Sequence, residues 1–291
     1  MSLKVDITIG VLNYNPSNNL DAQDKFCRCL DSLKQNLSKD LVHEIYIIDQ
    51  ASNEHKQRNV ISQYINENGW RSIFLEKNVG ISRAINLLAR CGRGKYICLV
   101  TSDVLLEPNL DKDLMNELID NPSIWQICPA SDNASSEYQR VGYMNGGLAI
   151  AIAQELTIQM WPREVFEKIG YFDERWKACY ENLDFGLRIY LAGGLVAVSH
   201  NAFCHHELGM SIKTGARNNT YDDYIFMPNG FNQDILHAMW HKKWNNLESV
   251  LPWSGLYSSQ IFDSSFNGLR EKTKQMYLNN LYLPYVQSVG Y

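Results

Sequence analysis

Apolar residues run almost unbroken through Val5 to Asn13 (VDITIGVLN), as in a strand, and the chain then enters a polar turn, Tyr14 to Asn19. Phe26, Leu30, Leu33 and Leu37 follow at the spacing that places side chains on one face of a helix. The pair of patterns then repeats. Glu44 to Asp49 (EIYIID) predicts a second strand ending in the turn Gln50 to Asn53, and Val60, Ile61, Tyr64 and Ile65 mark a second amphipathic helix with Gly69 at its C-terminal cap. Ser72 to Leu75 is a short third strand. Ile81, Ala84, Ile85 and Leu88 give a third helix, closed by Gly92 and Gly94. Lys95 to Thr101 (KYICLVT) is nearly all apolar, as expected of a central strand covered on both faces.

Strands separated by helices of this length imply right-handed crossovers and a parallel sheet, whose ligands sit beyond the carboxyl ends of the strands. That rule places Asn13, Asp49 and Asp103 on one rim. The sheet is expected to continue through Ile124 to Pro129 and through part of Gly147 to Trp161. A helix from Pro162 to Ile169 has proline at its start and Gly170 after its end, and another runs from about Asn182 to Ala192, stopping at Gly193-Gly194. A last strand, Leu195 to Phe203, leads to His205-His206. Beyond Gly215 the alternation fades into a tail rich in Tyr, Trp and Asn. The chain therefore divides into residues 1–212, carrying the sheet, and residues 213–291, a smaller, mostly helical extension.

Composition narrows the function classes. With 45% hydrophobic and 20% charged residues, the 291-residue chain is globular. Its formal charge of −5 gives no global field for a phosphate backbone, so no nucleic-acid partner is expected. No run reaches the ~18 apolar residues of a membrane span, and MSLKVDITIG has no signal-peptide flanks. Seven cysteines, an odd number without paired CxxC spacing, read as reduced core residues rather than a disulfide framework or a zinc site. A cytoplasmic location follows, with docking at the inner face of a membrane left open because peripheral association needs no spanning helix.

Several residues can carry chemistry. Asp103, at the carboxyl end of a buried strand in LVTSDVLLEP, offers a hard oxygen to Mg²⁺ or Mn²⁺, or else caps the next helix. Glu181 and Asp184 share a helix face, where a carboxylate can accept a proton from a hydroxyl; Arg188, four residues on, can equally pair with Asp184. A neutral His206 can join Asp103 on a metal. Asp49 can accept from a base's ring NH or form a turn with Ser52. In Asn78-Val-Gly80-Ile-Ser-Arg83, a backbone freed by Gly80 can approach a diphosphate while Arg83 supplies charge. The stretch is neither GxGxxG nor a P-loop. Trp240, Trp244 and Trp253 of the tail read as packing residues, with an acceptor or partner contact as the alternative.

The order of these elements resembles the GT-A fold glycosyltransferases, most closely the inverting enzymes of family 2, over roughly residues 4–211. VDITIGVLNYN, IIDQAS, NVGISRAIN, TSDVLLEP, GYFDERWKACYENLDFGLRIYLAGG and HHELGMS carry the likeness. The resemblance implies a Rossmann-like, mixed, mainly parallel sheet with flanking helices. It implies an enzyme that moves a sugar from a nucleoside-diphosphate sugar, a UDP-sugar foremost, to a hydroxyl of a glycan or lipid-linked acceptor in polysaccharide assembly. Asn13, Tyr14 and Asp49 would then face the nucleoside, and Asn78, Gly80, Arg83, Ser102 and Asp103 the diphosphate and sugar. Asp103 and His206 would hold the divalent cation, Mn²⁺ or Mg²⁺. Glu181 is the first choice of base and Asp184 the second, with Trp176 and Asn182 on the acceptor side and Phe172 and Asp173 near its entry. Two positions depart from the family pattern: Thr101 replaces the first aspartate of DxD, and Asn182 stands where many relatives have their base. These departures motivate a second reading, a nucleotide-sugar-binding protein without turnover. A homo-oligomer is compatible with either reading.

Overall fold

The computed structural model describes residues 4–16, 18–52, 54–132, 140–144, 148–151, 157–176, 180–207, 226–227, 230–231 and 243. Its first seven elements follow the expected alternation: Ile7–Asn13 (β1), Leu20–Asn36 (α1), His43–Gln50 (β2), Glu54–Asn68 (α2), Arg71–Leu75 (β3), Ile81–Cys91 (α3) and Tyr96–Thr101 (β4). β1 lies between β2 and β4 in parallel register, with Ile7 opposite both His43 and Tyr96. All of β1 is buried because both of its faces are covered. Ile7, Ile9 and Val11 pack with Phe26, Leu30 and Leu33 of α1 and Ile61 of α2. Leu12 joins Ile85 and Leu88 of α3 on the other face, together with Trp161, Phe172 and Phe185. The approach of α3 is close enough that a Cβ on Gly10 would lie 2.4 Å from a Leu88 methyl. Glycine is what lets helix and strand meet there.

The second half is built from Val104–Leu106 (β5), Leu110–Asp120 (α4), Ile124–Ser131 (β6), Arg140–Met144 (β7), Leu148–Ala151 (β8), Ile158–Pro162 (β9), Arg163–Ile169 (α5), Glu181–Leu191 (α6) and Leu195–His206 (β10). The sheet runs β3-β2-β1-β4-β9-β6-β10-β8-β7, with β5 on β10. β1, β2, β3, β4, β6, β7 and β10 point one way, and β5, β8 and β9 the other. The sheet is therefore mixed and mainly parallel, as expected. Two short strands, Phe226–Met227 (β11) and Gly230–Phe231 (β12), pair separately.

Several details differ from the sequence reading. The stretch expected as one strand within Gly147 to Trp161 is two, β8 and β9, and β9 inserts antiparallel between β4 and β6, with Trp161 opposite Ile97. β5, α4 and β7 have no counterpart in that reading. The last strand extends to His206 because its end pairs with β5, His206 opposite Val104. Of the extension over 213–291, only β11, β12 and Lys243 lie within the described residues, and Trp240, Trp244 and Trp253 lie outside them.

Candidate active site at the carboxyl rim

The parallel register fixes the first part of the site. Asn13 and Asp49 are neighbours at the ends of β1 and β2, and Asn13 Nδ2 donates to Asp49 Oδ1 at 2.8 Å. Ala51, in the left-handed region at φ 58°, turns the chain so that Ser52 Oγ accepts from Asn13 Nδ2 (3.2 Å) and from the Asn15 amide (2.8 Å). The Ser52 amide donates to Asp49 Oδ2 at 3.2 Å, so the expected alternative of a turn at Asp49 is realised. Burial pushes the Asp49 carboxyl above its ordinary pKa, against the opposing hydrogen bonds of Ser52 and Asn13. Each carboxylate oxygen has two acceptor sites, so these bonds leave Asp49 capacity for a further donor. Tyr14 is half-buried beside the pair. From sequence Ser52 enters only as the turn partner of Asp49; its bonds to Asn13 and to the Asn15 amide make it a second link between the ends of β1 and β2.

α3 presents its amino end at the same rim. Gly80 precedes it with φ 86°, a backbone that only glycine adopts easily. Asn78 Oδ1 accepts from the Gly80 amide (2.9 Å) and Gln50 Oε1 from the Val79 amide (3.2 Å), so Asn78 shapes the turn. Arg83 is exposed on the first turn of α3, 3.7 Å from Glu174. Ser82 Oγ donates to the Trp176 carbonyl at 2.5 Å, and Asn86 clamps both backbone groups of Phe172 at 2.8 and 2.9 Å. α3 thus anchors the Phe172–Trp176 segment that leads towards α6.

The second part depends on β5 pairing with β10. Ser102 and Asp103 follow β4 and are buried, and the Asp103 carbonyl accepts from the Glu207 amide at 2.8 Å. That pairing brings His206 Nε2 to 3.6 Å from Asp103 Oδ2, both side chains nearly buried. Strand alternation turns His205 to the opposite face, where it sits between Asp132 (3.1 Å) and Glu107 (3.0 Å). The Asp132 and Glu107 partners raise the His205 pKa. Among the described residues no three His, Cys, Asp or Glu side chains form a cluster able to hold a metal alone. Asp103 and His206 nonetheless fit two adjacent positions of an octahedral ion, whose neighbouring ligands lie roughly 3 Å apart at ordinary bond lengths. One hard carboxylate and one imidazole suit Mn²⁺ or Mg²⁺ when a diphosphate and water fill the other positions. Thr101, in place of the first acidic residue of the triplet, has a buried Oγ1 without a hydrogen-bond partner.

α6 supplies the third part. The short turn from Ala192 to Gly194 reverses the chain, so α6 begins, at Glu181, on the side towards which β10 runs, and Tyr180 and Leu183 share a core cluster with Val104 of β5 and Cys204 of β10. Tyr180, at φ 67°, turns the chain into the helix and stacks on Trp176 with ring centroids 5.6 Å apart. Glu181 is 7% exposed, and its Oε2 is buried with no hydrogen-bond partner among the described residues. Desolvation raises its pKa from 4.5 to about 7. Asn182 is half-buried, its Oδ1 receiving the Leu183 amide at 2.8 Å.

Two other candidates of the sequence reading have surroundings unlike those of Glu181. Asp184 is fully buried and engaged by Arg188 Nε at 3.2 Å and Lys243 Nζ at 2.5 Å. Held between two cations and away from solvent, it cannot meet an acceptor hydroxyl. Trp176 is 1% exposed in the core and stacks on Tyr180, so it offers no face to a sugar. Lys243 was absent from the sequence reading, since nothing in its local pattern marks a buried cation.

A mixed sheet with donor-binding and acidic residues on its carboxyl rim defines the GT-A type of fold. The chain belongs to glycosyl transferase family 2, whose model matches residues 9–183, from β1 to the first turn of α6. No match was found among curated proteins. Three solved structures share the fold at low identity. GalNAc-T7, crystallised with UDP, GalNAc and Mn²⁺, has 14% identity and a TM-score of 0.61, covering 100% of this chain and 59% of that one. The mannosyltransferase PcManGT from Pyrobaculum calidifontis, in complex with GDP-Man and Mn²⁺, has 14% identity and a TM-score of 0.56, covering 98% and 83%. S. aureus TarS has 15% identity and a TM-score of 0.54, covering 95% and 53%. The chain thus spans little more than half the length of GalNAc-T7 and of TarS. Among the described residues no helix is long and apolar enough to cross a membrane.

Proposed function

We propose that the chain transfers a sugar from a nucleoside-diphosphate sugar, a UDP-sugar first, to a hydroxyl of a glycan or lipid-linked acceptor in a single displacement with inversion. The observation that carries this reading is Glu181, a buried carboxyl with an oxygen unpartnered among the described residues and a pKa of about 7, at the start of the helix that runs back against β10, whose end brings His206 to Asp103. A base poised near the working pH is what deprotonation of a sugar hydroxyl needs.

In this mechanism Asn13, Tyr14 and Asp49 receive the nucleoside, and the amino end of α3 with Arg83 faces the diphosphate. Ser102 lines the donor site beside Asp103, and Asn182 faces the acceptor. The acceptor hydroxyl gives its proton to Glu181 Oε2 as its oxygen forms a bond to the anomeric carbon. The bond from that carbon to the diphosphate breaks, and the electron pair leaves with the diphosphate. A divalent cation held by Asp103 and His206 would supply Lewis-acid stabilisation of the negative charge on that leaving group. The solved neighbours crystallised with nucleotides and Mn²⁺ support this choice of ligand class. Residues 1–212 form the donor-binding unit of the proposal; of the extension over 213–291, all but β11, β12 and Lys243 lies outside the described residues.

The test is turnover with a panel of UDP-, dTDP- and GDP-sugars. Glu181→Gln is expected to lower transfer by about 10²–10⁴-fold, while Asn182→Ala, which removes only an acceptor contact, lowers it far less. Donor binding without turnover across a broad acceptor panel would instead identify a nucleotide-sugar-binding protein.

A further inference from the structure

Lys243 lies outside the stretch matched by the family model, yet its side chain is 4% exposed and seated against the helix that carries Glu181. Its Nζ is 2.5 Å from Asp184 Oδ1 and 2.7 Å from Asp173 Oδ2. The two carboxylates come from different segments. Asp184 is in the first turn of α6, three residues after Glu181, and Asp173 is in the segment that α3 anchors through Asn86 and Ser82. Each has a second cation of its own: Arg188 Nε on Asp184 at 3.2 Å, and Arg175 on Asp173 at 2.6 Å. Arg188 Nη1 also donates to the Ile169 carbonyl at 3.0 Å, tying α6 to the end of α5. Burial alone would raise the Asp173 carboxyl, but Arg175 and Lys243 hold it at about 2. A buried ammonium is costly to desolvate and is retained where it fixes one arrangement of its partners.

We propose that Lys243, reaching in from the C-terminal segment, is a positioning residue for the reaction: it clamps the first turn of α6 to the Phe172–Trp176 segment and so holds Glu181 where the acceptor hydroxyl arrives. The proposal rests on the reading of Glu181 as base. It also gives the extension a role in chemistry that its sequence does not announce. Without the ammonium, the ionic bridge between Asp173 and Asp184 is lost, and the turn bearing Glu181 is left to its aromatic contacts with the anchored segment, the Tyr180–Trp176 and Phe185–Phe172 stacks, which do not fix it as tightly. Displacements of about 1 Å at a reacting group can lower rates by about a hundredfold, whereas the nucleoside end of the site, at β1 and β2, does not depend on this contact.

The test uses the full chain with Lys243→Met and the charge-balanced pair Lys243→Met with Asp184→Asn, which removes one cation and one anion together. UDP affinity is measured by calorimetry, and kcat and its pH profile by transfer assay. The expected result is a kcat lowered about tenfold to a hundredfold in both variants, with UDP affinity within about twofold of wild type. The acid limb of kcat should move from about 7 towards the ordinary glutamate range as the loosened turn lets water reach Glu181. A folded variant with wild-type kcat and an unmoved acid limb overturns the proposal, and so does an equal loss of UDP affinity, which would mean a general structural role. If Lys243→Met alone does not fold, the paired variant decides on the same readouts. Glu181→Gln separates the two claims. Transfer that survives it removes the base assignment, whereas its loss beside a wild-type paired variant removes only the role of Lys243.

Discussion

Glu181 and Asp184 are chemically alike, sit three residues apart on one helix and are both buried, yet their surroundings are opposite in kind. Asp184 has two cations within hydrogen-bond reach, and Glu181 has a buried oxygen with no partner among the described residues. A carboxyl deprived of water and counter-charge keeps its proton to higher pH, which moves Glu181 to about 7. The pH–rate profile of transfer should therefore rise through an acid limb near 7, and Glu181→Gln should abolish that limb with the activity. The same shift predicts a stability effect. The folded chain binds this proton more tightly than the unfolded one, so the stabilisation is full below pH 4.5 and is lost as the pH rises through about 7. Glu181→Gln should then be more stable than wild type at pH 8, by on the order of 3 kcal/mol, and so unfold at a higher temperature, with the gap closing towards pH 4.5. Equal thermal stability at pH 8 would show that Glu181 is not desolvated. The helical spacing of both carboxyls was legible in the sequence, but the choice between them was not. It depends on Lys243, a residue far along the chain that reaches the site only after folding.

Between elements, pairing and anchoring bring the remaining groups together. His206 faces Asp103, and His205 faces away, because β5 and β10 pair and a strand sends successive side chains to opposite faces. The sequence placed both histidines at the end of a strand, and the family resemblance selected His206. β5 itself is only Val104–Leu106, too short for a periodic signal, so the contact it creates was invisible. α4 was legible but passed over: Leu110, Leu114, Met115 and Leu118 recur at helical spacing after Asn109, with Asp111 and Asp113 in the first turn. Asp103→Ala should leave the fold intact and remove the Mn²⁺-dependent part of the thermal shift given by UDP. An unchanged metal response would remove Asp103 from the ligand set. Asn86 is the matching case on the acceptor side. Asn86→Ala strands the Phe172 amide and carbonyl in the core and should cost about 2–4 kcal/mol in chemical denaturation. Transfer should fall more than UDP binding, because the anchored segment leads to Glu181 and not to the nucleoside.

At the scale of the molecule, the alternation of strands and helices over the first hundred residues was readable because both faces of the sheet are covered. β1 and β4 then become continuous apolar runs, and the crossover rule fixes which ends gather. The antiparallel insertion of β9 between β4 and β6 was not readable, because an apolar strand carries no mark of its direction. The rim survives that insertion: Asn13 and Asp49 end strands, and Asp103 follows one, that all run the same way, and β10 brings His206 to Asp103. The account predicts one crevice that takes a nucleoside diphosphate and a divalent cation together. The most direct measurement is anomalous diffraction from crystals of the full chain grown with UDP and Mn²⁺. A manganese peak bonded to Asp103 and His206, with uracil against Asn13 and Asp49 and the Glu181 carboxyl facing the β-phosphate side, is the predicted result. Manganese on other residues, or UDP bound away from the ends of β1 and β2, would contradict it.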